Sequence, residues 1–217
     1  MQVLIFYEKK LIGMKKIVIA ISREFGSGGR IVGKKLAEEL SIPLYDRKLI
    51  ELAAEKSGLS PDFIARNEDR VSSSLLFNMV AHIEGEVSLF PKYEMSVADQ
   101  AFFAQAEVIR DLAKKESCII LGRCGGYILR EDPNCISVFL HGRLEDRISL
   151  GIKMYGHDPE GLADKYVKAD RGRASYHKHY TGENWDNIRA YNLAIDTSAV
   201  GTDGAVNTIL TYIESRN

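Results

Sequence analysis

The chain is poor in cysteine, carries no surplus of basic charge, and has no apolar run long enough to cross a bilayer. Three cysteines, Cys118, Cys124 and Cys135, form an odd set without C-x-x-C spacing. That argues against a disulfide scaffold or a zinc site and favours reduced thiols in a cytoplasmic setting. With 29 Lys and Arg against 30 Asp and Glu the net charge is −1, so no broad basic surface points to nucleic acid and the expected partner is a small molecule. No stretch reaches the roughly 18 apolar residues of a membrane span, and the opening "MQVLIFYEKKLIG" lacks a small-residue cleavage site. Neither a membrane partner nor secretion is expected. Residues 1–14 read as an extension or an added edge strand, because Met14 is followed at once by a strand-like run. Oligomeric state is not legible.

The 217 residues are 45% hydrophobic and 27% charged, enough for one well-packed domain over 15–217. Short β-rich runs alternate with helical patterns. "KIVIAIS" is nearly continuous in apolar residues, as a strand buried on both faces requires. "IPLYD", "CIILG", "CISVFL" and "YNLAID" follow as four more strands, each separated from the next by a helical segment. This order predicts a parallel α/β sheet. Ser60-Pro61, Asp158-Pro159 and the pair Ser96/Asp99 mark helix starts. The segment 57–98 shows no clear strand and reads as an inserted helical lobe.

The informative stretch is "IVIAISREFGSGGRIVGKKLAEEL", residues 17–40. Gly26, Ser27, Gly28 and Gly29 lie between a buried strand and a helix whose apolar positions Ile31, Val32, Leu36, Ala37 and Leu40 recur at helical spacing. Unhindered backbone N–H groups and the positive end of a helix dipole meet there, which is how protein backbone holds a phosphate. A literal G-x-x-x-x-G-K-[ST] search lands on "GGRIVGKK", with Lys35 in place of the hydroxyl. That register puts Ile31 and Val32 in a loop, against their helical spacing. Lys34 and Lys35 are therefore expected to be solvated, and the working loop is "FGSGGRI".

Together with this stretch, "SIPLYDRKLIELA", "IILGRCGGYIL" and "KADRGRASYHKHYTG" followed by "YNLAIDTS" resemble the cytidylate kinase-like family, relatives of bacterial cytidylate kinases among P-loop nucleoside monophosphate kinases. The resemblance runs from about Lys15 to Ser215. It implies a three-layer P-loop NTPase-type fold with a five-stranded parallel sheet, a nucleotide-binding lobe at 57–98, an arginine-bearing lid at 155–185, and ATP with Mg2+ as cofactors. It also implies transfer of the γ-phosphoryl group of ATP to a nucleoside monophosphate or similar small acceptor. The match is partial. The lysine of true cytidylate kinases falls on Gly29, the following glycine on Arg30, and the magnesium-binding Ser/Thr on Ile31. Asp46 matches an acceptor-binding aspartate, with Arg47 after it in place of a small residue and Leu52 where a substrate arginine is expected. Arg123 matches the arginine that holds the monophosphate, and Asp170, Arg171 and Arg173 resemble lid residues.

Phosphoryl transfer depends on fixed cations more than on covalent chemistry, so arginines can stand in for a lost lysine. Arg30, at the helix start, is expected to take that part, with Arg123, Arg171 and Arg173 as further catalytic cations. Gly26, Ser27, Gly28, Gly29 and Arg30 are the expected phosphate site, and Asp46, Arg47, Arg123 and Asp170 the acceptor site. No metal-binding side chain is expected. His177 and His179, two apart, read as a solvated lid end, and Asp196 as a turn cap. Two other readings remain: a nucleotide-binding protein without catalysis, and, more remotely, a dinucleotide-dependent oxidoreductase, since Gly26 and Gly28 begin G-x-G and Asp46 ends the second strand. Ile31 stands where that motif needs its third glycine.

Overall fold

A computed structural model describes residues 16–67 and 95–216. The expected extension at 1–14 lies outside the described residues, as does the larger part of the lobe at 57–98. Five parallel strands form one sheet: β1 (Val18–Arg23), β2 (Leu44–Tyr45), β3 (Cys118–Leu121), β4 (Cys135–His141) and β5 (Leu193–Asp196), in the order β2-β3-β1-β4-β5. All five expected strands are present. Ile19 sits between Ile119 and Ile136 in register, which is why the central strands carry apolar side chains on both faces.

Strand β1 sorts its side chains by parity. Val18 and Ala20 join one core, with Leu49, Ile64, Phe102, Ile109 and Ile120. Ile19 and Ile21 join the other, with Val32, Leu36, Ile209 and Ile213. The second core is covered by α1 (Gly29–Leu40) and by the C-terminal half of α8 (Thr197–Arg216), which is broken at Gly201. The first is covered by α2 (Arg47–Ser57), α3 (Pro61–Asn67), α4 (Val97–Lys115) and the short α5 (Gly125–Ile128). The result is a three-layer domain with β1 central, and ligands of such sheets sit beyond the carboxyl ends of the strands.

Two further helices, α6 (Leu144–Tyr155) and α7 (Leu162–Thr181), lie over that end. Ser96 caps α4 as expected, accepting the Asp99 N–H at 3.1 Å. Asp196 accepts the Ser198 N–H at 2.9 Å, also as expected. Asp158-Pro159 does not start α7. The Asp158 carboxylate accepts the Glu160 N–H in a turn, and the helix begins after Gly161, at Leu162. Helix α1 begins at Gly29, so Gly33 is buried inside it against Leu44 and the literal "GGRIVGKK" register has no loop to occupy. Lys34 is exposed and Lys35 pairs with Asp203 on the surface.

Candidate functional site

The loop between β1 and α1 is a tight, glycine-shaped turn. Gly26 and Gly28 both have φ of 82°, in the left-handed region that disfavours a Cβ. A Cβ on Gly26 would come within 2.2 Å of the buried Tyr166 ring, and one on Gly28 within 2.6 Å of Thr202. Ser27 turns inward, its hydroxyl donating to the Glu24 carbonyl at 2.9 Å. No side chain caps α1, because its N-cap is Gly28. Its first N–H groups thus lack a side-chain acceptor, and Gly28, Gly29 and Arg30 line a cleft of about 170 Å³ together with Arg23, Gly26, Tyr166 and Arg173.

The loop is clamped from the far side of the domain. The Asp170 carboxylate accepts the Phe25 N–H at 2.6 Å and an Arg147 N–H at 2.7 Å. Arg147 also donates to the Phe25 carbonyl at 2.9 Å and lies 3.4 Å from the Glu24 carboxylate. Glu24 in turn accepts the Gly142 N–H at 3.0 Å. Helix α6 buries only Arg147 and Gly151, so it packs on the site largely through a charged side chain. Sequence reasoning missed Arg147: nothing local separates it from the exposed Arg143 in the same helix start.

Helix α7 faces the site with a stripe at i+3/i+4 spacing: Leu162, Tyr166, Asp170, Arg173, His177 and Tyr180. Its ends are apolar and its middle is charged where it crosses the loop. The Arg173 guanidinium donates to the Arg23 carbonyl at 2.9 Å and lies 5.2 Å above the Phe25 ring. Arg171 points off this stripe and is exposed.

A second, small cavity of about 20 Å³ adjoins the cleft and shares Arg23 and Arg173 with it. Arg123 also lines it, along with Ser22, Gly122, Tyr176, His177 and Trp185. Arg23, Arg123 and Arg173 therefore all line one cavity. Arg123 is buried at a left-handed backbone position, φ 57°, and donates to the Ile64 carbonyl at 3.1 Å.

The expected site residues are thus distributed unevenly. Gly26, Gly28, Gly29, Arg30 and Arg173 line the cleft, and Arg123 the adjoining cavity. Arg30 is exposed and its guanidinium is held by Asp46 at 2.7 Å. Arg47 opens α2, exposed and outside the cleft. Asp170 serves the clamp. The expectation of a solvated histidine pair does not hold. His177 is buried, its Nε2 lacks a hydrogen-bond partner, and burial pushes its pKa down to about 4. His179 lies 3.9 Å from the buried Asp99. The three cysteines are buried and none is in a disulfide, and burial raises Cys118 and Cys135 to about 12.

The family model described as cytidylate kinase-like matches residues 18–199. No curated protein matches the chain. Among solved structures, an uncharacterized protein from Eubacterium ventriosum ATCC 27560 is 31% identical over 92% of this chain and 99% of its own, with a TM-score of 0.66. A shikimate kinase from Acinetobacter baumannii, solved with shikimate, is 14% identical over 94% of this chain and 96% of its own, TM-score 0.50. A gluconokinase from Sinorhizobium meliloti 1021 is 16% identical over 93% of this chain and 97% of its own, TM-score 0.51. These last two identities speak for the fold alone, which is that of the P-loop kinases. With its glycine loop between β1 and α1 and nearly the full length of the domain matched, the chain belongs to the cytidylate kinase-like family.

Proposed function

We propose that the protein is a kinase that transfers the terminal phosphoryl group of ATP to a small hydroxylated or phosphorylated acceptor. The observation that carries this reading is the glycine-shaped loop at an uncapped helix start, lined by Arg23 and Arg173, in a chain of the cytidylate kinase-like family. A helix start offers backbone N–H groups to an anion, and guanidinium forks suit phosphate oxygens. In the reaction the acceptor oxygen bonds to the γ-phosphorus as the bond to the bridging oxygen breaks. ADP leaves with that oxygen; a hydroxyl acceptor also releases its proton, whereas an ionised phosphate acceptor has none to lose. Charge on the transferred group is spread over its oxygens, so the protein's part is to hold two phosphates in line and neutralise them.

Among the described residues no magnesium site is formed: Ile31 has no ligating atom, and the carboxylates of Glu24, Asp46 and Asp170 are each engaged by an arginine. Magnesium is therefore read as arriving on the phosphates of ATP, where it keeps most of its water. Arg123, deepest of the three arginines, is the proposed contact for an anionic acceptor, and a nucleoside monophosphate such as CMP is the default by family. Three buried cysteines outside any disulfide accord with a reducing, cytoplasmic setting.

A second reading, nucleotide binding without turnover, is favoured by Gly29 and Ile31, which leave the loop without lysine or hydroxyl. A thermal-shift screen of nucleotides with and without magnesium, followed by turnover assays on each hit, separates the two. Binding with ADP formation supports the kinase. Binding without turnover on any acceptor supports the second reading, and no binding at all overturns both.

A further inference from the structure

Strand parity decides where the Arg23 side chain goes. Ile19 and Ile21 project onto the α1 face of the sheet, and successive odd positions of a strand share a face. Arg23 is the next one, the last residue of β1, and it meets α1 at that helix's first residue. The contact is close: a Cβ built on Gly29 would stand 2.7 Å from Arg23 Cγ, 3.0 Å from its Cβ and 3.5 Å from its Cδ. The stem of Arg23 thus runs through the space that any side chain at position 29 would need. Beyond the stem, Arg23 lines both the cleft at the loop and the cavity shared with Arg123 and Arg173. Arg30 reaches the cleft from the helix side, at the exposed edge, where its guanidinium meets Asp46.

Resting on the kinase reading, we infer that Arg23 supplies the loop's phosphate-binding cation from the strand side and that position 29 is glycine to make room for it. The loop has exchanged its ends. A loop of the G-x-x-x-x-G-K-[ST] kind begins with glycine and ends in a lysine on the helix; this one begins with a cation on the strand and is smallest at the helix. Either arrangement delivers one side-chain cation over the same backbone N–H groups. Both cannot be present, because a lysine at 29 and the stem of Arg23 would occupy one volume.

The test is calorimetric titration of inorganic tripolyphosphate and of ATP at one fixed ionic strength, with folding checked by circular dichroism. Arg23→Met keeps an apolar stem over Gly29 and removes only the charge. It is expected to weaken both ligands at least 10-fold, while Arg23→Lys stays within about threefold of wild type. The exchange Arg23→Gly with Gly29→Lys is expected to bind more tightly than Arg23→Met. Wild-type affinity in Arg23→Met, or an exchange variant that binds no better than Arg23→Met, would overturn the inference and leave the kinase reading standing. Failure of the wild-type protein to bind either ligand would overturn both.

Discussion

Asp170 and Phe25 are 145 residues apart in sequence, yet the Asp170 carboxylate accepts the Phe25 N–H at 2.6 Å. The bond ties the middle of α7 to the start of the glycine loop, and the same carboxylate holds the buried Arg147. A charge at that junction sets the shape of the loop without touching a ligand.

Replacing Asp170 by alanine leaves Arg147 largely buried with its shortest partner gone. Removing one member of a buried pair costs about 3 kcal/mol or more, and the Glu24 contact offsets only part of this. Urea unfolding should show the loss, and removing Arg147 as well, as Arg147→Met, should return some of it. Additive losses in the double variant would mean that the two side chains act independently.

The two arginines of α7, Arg171 and Arg173, should separate in kinetics. Arg173 lies at the cleft while Arg171 is off the inner stripe of α7, so Arg173→Ala is expected to lower kcat/KM by about 30- to 1,000-fold, the range for loss of an electrostatic stabiliser. Arg171→Ala should cost at least ten times less. The measurement is turnover on whichever acceptor the nucleotide screen identifies, and equal losses would contradict the placement.

His177 sets a pH dependence with a definite sign. Burial lowers its pKa from 6.5 to about 4, so the unfolded chain takes up a proton near pH 6.5 and the folded chain only near 4. Between those values the unfolded state holds up to one proton more, and stability falls as pH falls across that window, by roughly 3 kcal/mol at most. His177→Gln should flatten this part of the stability profile. Parallel profiles for variant and wild type, measured by urea midpoints from pH 7 to pH 4, would rule out His177 as the source.

Gly26 and Gly58 compare strain with collision. Both have positive φ, 82° and 72°, but nothing lies within 4 Å of a Cβ built on Gly58. Gly58→Ala should cost about 1 kcal/mol from backbone strain alone. Gly26→Ala must also displace the fully buried Tyr166, and its thermal midpoint should fall well below that of Gly58→Ala.

The sheet was legible because buried parallel strands are written as unbroken apolar runs, as "IVIAIS" and "CISVFL" show. The loop was legible because glycines between such a run and a helical pattern leave few alternatives. The lid was harder. Its inner stripe from Leu162 to Tyr180 is plain at i+3/i+4 spacing, but reading "YHKHY" as a local pair of histidines hid it, and His177 went to the wrong side. Arg147 had no local signal, since the partners that define it, Phe25 and Asp170, lie 122 and 23 residues away. Arg30 stands out in the sequence because it follows the glycines directly. The packing of the Arg23 stem on Gly29 has no local signal, and only strand parity points to it.

The contact between Arg23 and Gly29 also constrains how such a loop can change over generations. A lysine arising at 29 meets an occupied volume, and a glycine arising at 23 removes a cation, so each single step is worse than either end state. Relatives should therefore carry a basic residue at one of these two positions and a small one at the other, rarely the same kind at both. Aligning the family would show positions 23 and 29 changing together, with small residues at both confined to chains that have lost affinity for polyphosphate.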